Sequence, residues 1–328
     1  MTDAPLDYPI DDLLDVLDLR REGSTTIRVA SPEGVLGTDA DLVSSEGDVF
    51  AGRSQPMPHG RVFGGQVLAQ CLIAAGRTVE PVLEETEGTE GEPLARPIHS
   101  MHGYFLRPGD ANRPLRFLVE RMRDGRSFSA RRVHAVQDGR ILMSIIMSFQ
   151  EASEGLEHQI PMPSAPAPDT LRSDRQLLEQ VPHPVAQETA RRRPVELRHV
   201  EPLLLGPGEP GPSEQSVWLR ITRELPQDPL LHAAILAYAS DYVLLEPVLR
   251  RHGLGWGDPR LRPASLDHSM WFHRPARVDD WVLYTQSSPS AQSGRGLGTG
   301  HMFAADGTLL ATVGQEGMVR LKQAPDAS

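Results

Sequence analysis

The sequence predicts an α+β protein of two tandem units, each an antiparallel sheet wrapped around a long central helix. Three observations carry this. A pair of landmarks recurs at nearly equal spacing: FLRP (105–108) precedes an Asp138-Gly139 turn by 30 positions from Pro108, and FHRP (272–275) precedes Asp306-Gly307 by 31 positions from Pro275. An internal repeat of this kind decides the architecture before any single motif does. Each copy also opens with an apolar segment of helical length, VFGGQVLAQCLIAAG at 62–76 and LLHAAILAYASDYVLLEPVL at 230–249. Both are apolar on most faces and so are buried nearly all round. Alternating runs then follow in each copy, joined by Asp-Gly, a hairpin signal.

The elements follow in chain order. Ile10, Leu13, Leu14 and Leu17 fall at helical spacing and predict a short helix packed on the first unit. Cys71, inside the first apolar segment, reads as a small core residue. The acidic stretch at 80–93 reads as a mobile surface loop. Strands are predicted at 98–107, 115–122, 126–137 and 140–150, and in the second copy at 264–273, 281–288, 294–304 and 308–320. The units are placed at 1–150 and 195–328, with their sheets side by side. Residues 151–194, with PMPSAPAPD and ARRRP, predict an extended, non-helical connection, and GPGEPGP (206–212) a loop.

The bulk numbers exclude several classes. A net charge of −11 argues against a non-specific nucleic-acid binder, which needs a basic face, while leaving room for a local basic pocket for a small polyanion. One cysteine gives no disulfide framework. No charge-free apolar run approaches the length of a membrane span. The acidic N-terminus lacks the basic region of a signal peptide, and APDAS is not a peroxisomal address, so the cytoplasm is expected. His99 and His102 are three apart, and His268 and His273 five apart. Neither spacing matches a zinc motif, so no metal is expected.

SLDHSMWFHRP (265–275) holds every residue type of a serine-hydrolase triad. Read as a strand, it puts Ser265, Asp267, Ser269 and Trp271 on one face and Leu266, His268, Met270 and Phe272 on the other. Asp267 and His268 then cannot meet, and no G-x-S-x-G elbow exposes a serine. GRGLGTG (294–300) lacks the lysine of a phosphate loop and reads as a glycine-softened strand near a bulge or a close backbone approach. GDANRPL (109–115) superficially resembles an enoyl-hydratase signature. However, Arg113 separates Asn112 from Pro114 and no histidine follows, which leaves a turn.

VFGGQVLAQ, HSMHGYFLRPGD, RDGRSFSARRV, QIPMPSAPAPD, YASD, DHSMWFHRP and QEGMVR occur in this order between about residue 10 and about residue 322. Together they resemble the bacterial acyl-CoA thioesterase II family, double-hotdog enzymes that hydrolyse acyl-CoA to fatty acid and CoA. The hotdog fold, a helix wrapped by an antiparallel sheet, agrees with the architecture read from the repeat. The resemblance implies an Asp–Ser–Gln site in the second unit: Asp241 of YASD, Ser265 where many relatives carry Thr, and Gln315 opening QEG. A thioester is already activated, so an aimed water suffices, with Asp241 as its proton acceptor or orienter. Burial in an apolar helix should raise the Asp241 pKa. The matching positions of the first copy are Ile98 and Met147, so one site per chain is expected. HGRVFGGQ (59–66), with His59 and Arg61, is expected to serve that site, and the Gly64 and Gly65 amides to form an oxyanion hole. Arg61, Arg107, Arg126 and Arg274 are candidates for the CoA phosphates, and Leu236, Tyr242 and Leu245 for the acyl tunnel. The expected partner is acyl-CoA, without metal or organic cofactor, in a homo-oligomer. The alternatives are an enoyl-CoA hydratase on the same fold and a catalytically silent acyl-CoA binding protein.

Overall fold

The computed structural model describes residues 8–29, 43–79, 85–86, 89–90 and 96–322. The first unit comprises α1 (Tyr8–Leu17), β1 (Arg20–Val29), β2 (Val43–Gly52), α2 (Gly64–Gly76), the two-residue strands β3 (Glu85–Thr86) and β4 (Thr89–Glu90), β5 (Ile98–Phe105), β6 (Leu115–Asp124), β7 (Phe128–Gln137) and β8 (Arg140–Gln150). Apart from β3 and β4, the acidic stretch at 80–93 lies outside the described residues. Next come α3 (Asp174–Leu178) and α4 (Pro184–Arg192). The second unit comprises β9 (Val195–His199), β10 (Glu214–Ile221), α5 (Pro229–Ser240), α6 (Glu246–Arg251), β11 (Leu261–Ser265), β12 (Asp267–Phe272), β13 (Val282–Gln292), β14 (Arg295–Ala304) and β15 (Leu309–Leu321).

The long strands form one antiparallel sheet in the order β1-β2-β6-β7-β8-β5-β12-β15-β14-β13-β10-β9, with β11 also on β15. The order mirrors itself about the β5·β12 seam, where Met101 faces Met270. The repeat is visible atom by atom. Arg107 Nη1 donates to Ile141 O and Arg274 Nη1 to Leu309 O, so each FxRP arginine ties down the strand after its own Asp-Gly turn. Each unit also opens with two strands absent from the sequence reading, β1–β2 and β9–β10. RREGSTTIRV is the edge of the sheet, paired only with β2, and residues 20–26 are all exposed.

Two expectations need correction. The connection is extended only over 151–167. Ser173 then accepts from the Gln176 N–H while the Gln176 side chain accepts from the Ser173 N–H, a capping box that starts α3. Pro184 lies in the first turn of α4, where a missing N–H costs nothing. The segment 230–249 is also not one helix. Pro247 has no N–H for Val243 O, four residues back, so an unbroken helix cannot run through it. Val243 O instead accepts from the Glu246 N–H and from Gln215 Nε2. The chain leaves α5 at Asp241 and turns before α6. The glycine-rich strand accommodates that turn: a Cβ on Gly298 would lie 2.1 Å from Leu244 O, and one on Gly317 2.4 Å from Leu245 Cδ1.

Candidate active site

Helices α2 and α5 pack antiparallel at the centre. A Cβ on Gly65 would fall 2.3 Å from Tyr238 O, and one on Gly76 2.4 Å from Leu230 Cδ1. The FGG sequence thus lets the positive end of α2 approach the negative end of α5. Asp241 is the residue at that negative end, the C-cap of α5. Its Oδ2 lies 2.6 Å from where a Gly64 Cβ would stand. Gly64→Ala should therefore displace the carboxylate while the glycine's surroundings, side-chain ends, adjust. A loss in kcat of about 10²-fold with little change in melting temperature is the expected kinetic result.

Two strands supply the rest of the cluster. Gln315 points inward from β15 and is 2% exposed. Ser265 pairs with Gly317 and Ser269 with Gly314, so four steps on β11–β12 oppose three on β15. The extra residue is a bulge at 266–267, which reverses the alternation assumed for a continuous strand. Ser265 and His268, expected on opposite faces, both turn to Gln315. Gln315 Nε2 donates to Ser265 Oγ (2.9 Å), and His268 Nδ1 lies 2.5 Å from Gln315 Oε1. Asp267 remains apart from His268, its carboxylate accepting from the Glu316 N–H at 2.7 Å.

The protons in this cluster can be assigned. Burial drives the His268 pKa down to about 4, so the ring is neutral. Gln315 Oε1 can only accept, so Nδ1 carries the proton, and the bare Nε2 lies 2.9 Å from the Ser240 hydroxyl, whose single proton it shares with Ala237 O at 2.8 Å. That orientation sends the Gln315 amide N–H groups toward Ser265 and Asp241. A carboxylate can only accept, and the flipped amide would set oxygen against oxygen. Burial raises the Asp241 pKa to about 7, partly offset by hydrogen bonds from Gln315, the Gly65 N–H and Ser265. Oδ1 is buried with no hydrogen-bond partner. The arrangement holds a carboxylate oxygen free, in low dielectric, at a pKa suited to taking a proton near neutrality.

Among the described residues, the first unit has no such cluster. Ile98 and Met147 are buried apolar residues. The corresponding end of α2 is filled by Arg131, which donates to Thr78 Oγ1, Thr78 O and Asp124.

Of the remaining candidates, the structure brings Gly64, Gly65 and Tyr242 to the cluster. The Gly65 N–H serves the Asp241 carboxylate, so it is not a free oxyanion donor. Phe63 and Tyr242, the neighbours of Gly64 and Asp241, stack at 4.8 Å. Both line a cavity of about 600 Å³, which His59 also lines. Leu236 and Leu245 do not line it: Leu236 is core, and Leu245 packs on Gly317. Arg61 is exposed and its N–H donates to His59 Nδ1. Arg107 and Arg274 hold strand carbonyls as above. Arg126 is exposed, its carbonyl taken by Arg96. None of these contacts joins the four arginines to the Asp241 cluster. His268 was missed by the sequence reading because a bulge leaves no mark in a strict alternation.

A helix wrapped by sheet in each of two fused units, with a buried carboxylate where the two helices meet, defines a double-hotdog hydrolase. A protein from Alicyclobacillus acidocaldarius described as having a hot dog fold superposes with a TM-score of 0.66 at 19% identity, covering 95% of this chain and 98% of that one. Residues 53–150 match the family model for the acyl-CoA thioesterase N-terminal domain, and 184–318 that for acyl-CoA thioesterase. The Haemophilus influenzae acyl-CoA thioesterase 2 is 37% identical over 84% of this chain and 93% of its own length. An acyl-CoA thioesterase II from Mycobacterium marinum is 43% identical, with a TM-score of 0.67, over 84% of this chain and 94% of that one. The chain belongs to the acyl-CoA thioesterase II family, and its activity is hydrolysis of acyl-CoA to fatty acid and CoA. No helix among the described residues is long and apolar enough to cross a membrane.

Proposed function

We propose that Asp241, Ser265 and Gln315 carry this hydrolysis with water as the nucleophile and no acyl-enzyme. The observation that supports it is the buried Asp241 carboxylate, held on one oxygen side by Gly65, Gln315 and Ser265 and unpartnered at Oδ1. Oδ1 takes a proton as the water oxygen bonds to the thioester carbon. The carbonyl becomes an oxyanion beside the positive end of α2, with the Gly64 N–H as the donor offered to it. The C–S bond then breaks, and the proton on Asp241 passes to the leaving CoA sulfur. Gln315 and Ser265 keep the carboxylate and the water aligned.

Free-thiol release from acyl-CoAs, followed with a thiol reagent, tests this. Rapid release that rises with pH through about 7 is expected, since Asp241 must be ionised to accept the proton. A change in enoyl-CoA absorbance without release would point to a hydratase instead, and tight binding without release to a silent binder. We further propose self-association through the outer sheet face at the seam. Tyr104, Ile146 and Trp271 stand exposed there on three adjacent strands, an apolar patch of the kind that marks an interface.

A further inference from the structure

Phe63 and Tyr242 stand where the cavity comes nearest to Asp241, which does not itself line it. Besides histidines, the charged groups of the cavity wall are Asp12, Arg192, Arg193 and Glu246. Three of them are engaged within the protein. Asp12 pairs with Arg53 at 2.6 Å and accepts from Gln55 Nε2 at 3.1 Å, while Gln55 Oε1 accepts from the Tyr238 hydroxyl at 2.8 Å. Arg192 pairs with Glu188, and Glu246 accepts from Trp256 Nε1 at 2.7 Å. The fourth, Arg193, also touches an aromatic ring beside the active site. It is the last arginine of ARRRP, and Arg191 and Arg192 before it both pair with Glu188. Pro194 disfavours helical backbone at the residue before it. Arg193 is accordingly the C-cap of α4, extended at φ −71° and ψ 119°. That turn takes its side chain away from the Glu188 pairs and into the cavity wall.

Arg193 pairs there with Asp174, whose side chain is only 4% exposed, and its Cζ lies over the Tyr242 ring, 4.8 Å from the centroid. Its Nε has no hydrogen-bond partner, so Asp174 and the ring are what hold the guanidinium. A cation over a ring is attracted to it, more strongly where water is kept out. Tyr242 in turn stacks on Phe63 at 4.8 Å, with the planes 20° apart. The stack joins three parts of the chain. Phe63 is the N-cap of α2 in the first unit, Arg193 ends the connection, and Tyr242 follows α5 in the second unit. The two rings belong to the residues next to Gly64 and Asp241. Resting on the roles proposed above for those two residues, we propose that Arg193 is a positioning residue for the hydrolysis. Its guanidinium holds the Tyr242 ring on Phe63, and the stacked rings fix the Asp241 carboxylate relative to the Gly64 N–H. The connection between the units thereby takes part in the reaction through the rings, without touching the thioester.

The test is a double-mutant cycle, read as kcat for butyryl-CoA and palmitoyl-CoA with the full chain. Arg193→Leu should lower kcat roughly tenfold on both, because the rings bear on the thioester end that the two substrates share. Tyr242→Leu should lower it at least as much. Arg193→Leu added to Tyr242→Leu should cost nothing further, since the ring it acts through is gone. In Tyr242→Phe, which keeps a ring, Arg193→Leu should again cost roughly tenfold. Arg193→Leu strands the buried Asp174 carboxylate, so the cycle is repeated with Arg193→Lys. Lysine keeps a cation for Asp174 but has no planar group to lay on the ring. A smaller loss, again absent beside Tyr242→Leu, is expected from it. Losses that multiply in the Tyr242→Leu background, a loss on palmitoyl-CoA alone, or an unchanged kcat in both Arg193 variants would overturn the inference. Asp241→Asn is read on the same substrates. Full activity there sinks the proposed site and this inference with it, whereas its loss alongside multiplying Arg193 and Tyr242 effects sinks only this inference.

Discussion

Asp241→Asn should reduce acyl-CoA hydrolysis by about 10³–10⁴-fold while leaving the protein folded, and above neutral pH more stable than the parent. The loss follows from removing the proton acceptor, since an amide cannot take the proton of the attacking water. The gain in stability follows from the same burial. The folded carboxyl has its pKa raised from an ordinary value near 4 to about 7. A carboxyl raised on folding contributes stability that is complete below its unfolded pKa and is lost as pH rises through its folded one. At about 1.4 kcal/mol per pH unit, ionising Asp241 in place costs on the order of 4 kcal/mol by pH 8. Asparagine has the same shape and does not ionise. Denaturant unfolding should therefore show the variant close to the parent near pH 4, where the folded carboxyl is protonated and the unfolded one still partly so, and ahead of it near pH 8.5. Equal stability at both pH values would mean that the carboxyl is not held at a raised pKa. Full activity in the variant would remove Asp241 from the chemistry.

The parts of the molecule that could be read from sequence are those set by local chemistry repeated twice. FLRP and FHRP read as landmarks because Arg107 and Arg274 perform the same task, each holding the carbonyl after its own hairpin turn. The glycines of GRGLGTG read as a close approach because only glycine admits the Leu244 carbonyl at that distance. Asp241, Ser265 and Gln315 came from family resemblance, since alone each is an ordinary polar residue of a helix end or a strand. What escaped depends on tertiary pairing or on a neighbour's hydrogen bond. Pro247 bars an unbroken helix, yet the apolar run around it masks the break that ends α5 at Asp241. The bulge at 266–267 needs β15 to define it, because four residues on one strand oppose three on another. With the bulge went His268, whose role exists only through Gln315.

His268→Leu should lower kcat by roughly 10–100-fold, leave KM nearly unchanged, and move the acidic limb of the pH profile upward. The ring touches neither water nor substrate in this scheme; it acts through Gln315. Its Nδ1–H fixes Gln315 Oε1, at 2.5 Å, and so keeps the amide N–H groups on Ser265 and Asp241. Leucine fills the space but has no donor, so the amide can turn its oxygen toward the carboxylate. The Gln315 hydrogen bond is one of the contacts that lowers the Asp241 pKa against burial. Losing it leaves burial less opposed, and the base becomes protonated at higher pH. Activity should therefore fall more below neutrality than near pH 9, where the carboxylate is ionised in both proteins. A defect in packing alone would reduce the rate evenly across pH. His268→Asn separates the two, because its amide N–H can occupy the place of Nδ1–H while the contact to Ser240 is lost. Recovery of the pH midpoint in His268→Asn, with only partial recovery of kcat, is the expected pattern. An unmoved midpoint in His268→Leu would leave Gln315 oriented by the carboxylate alone.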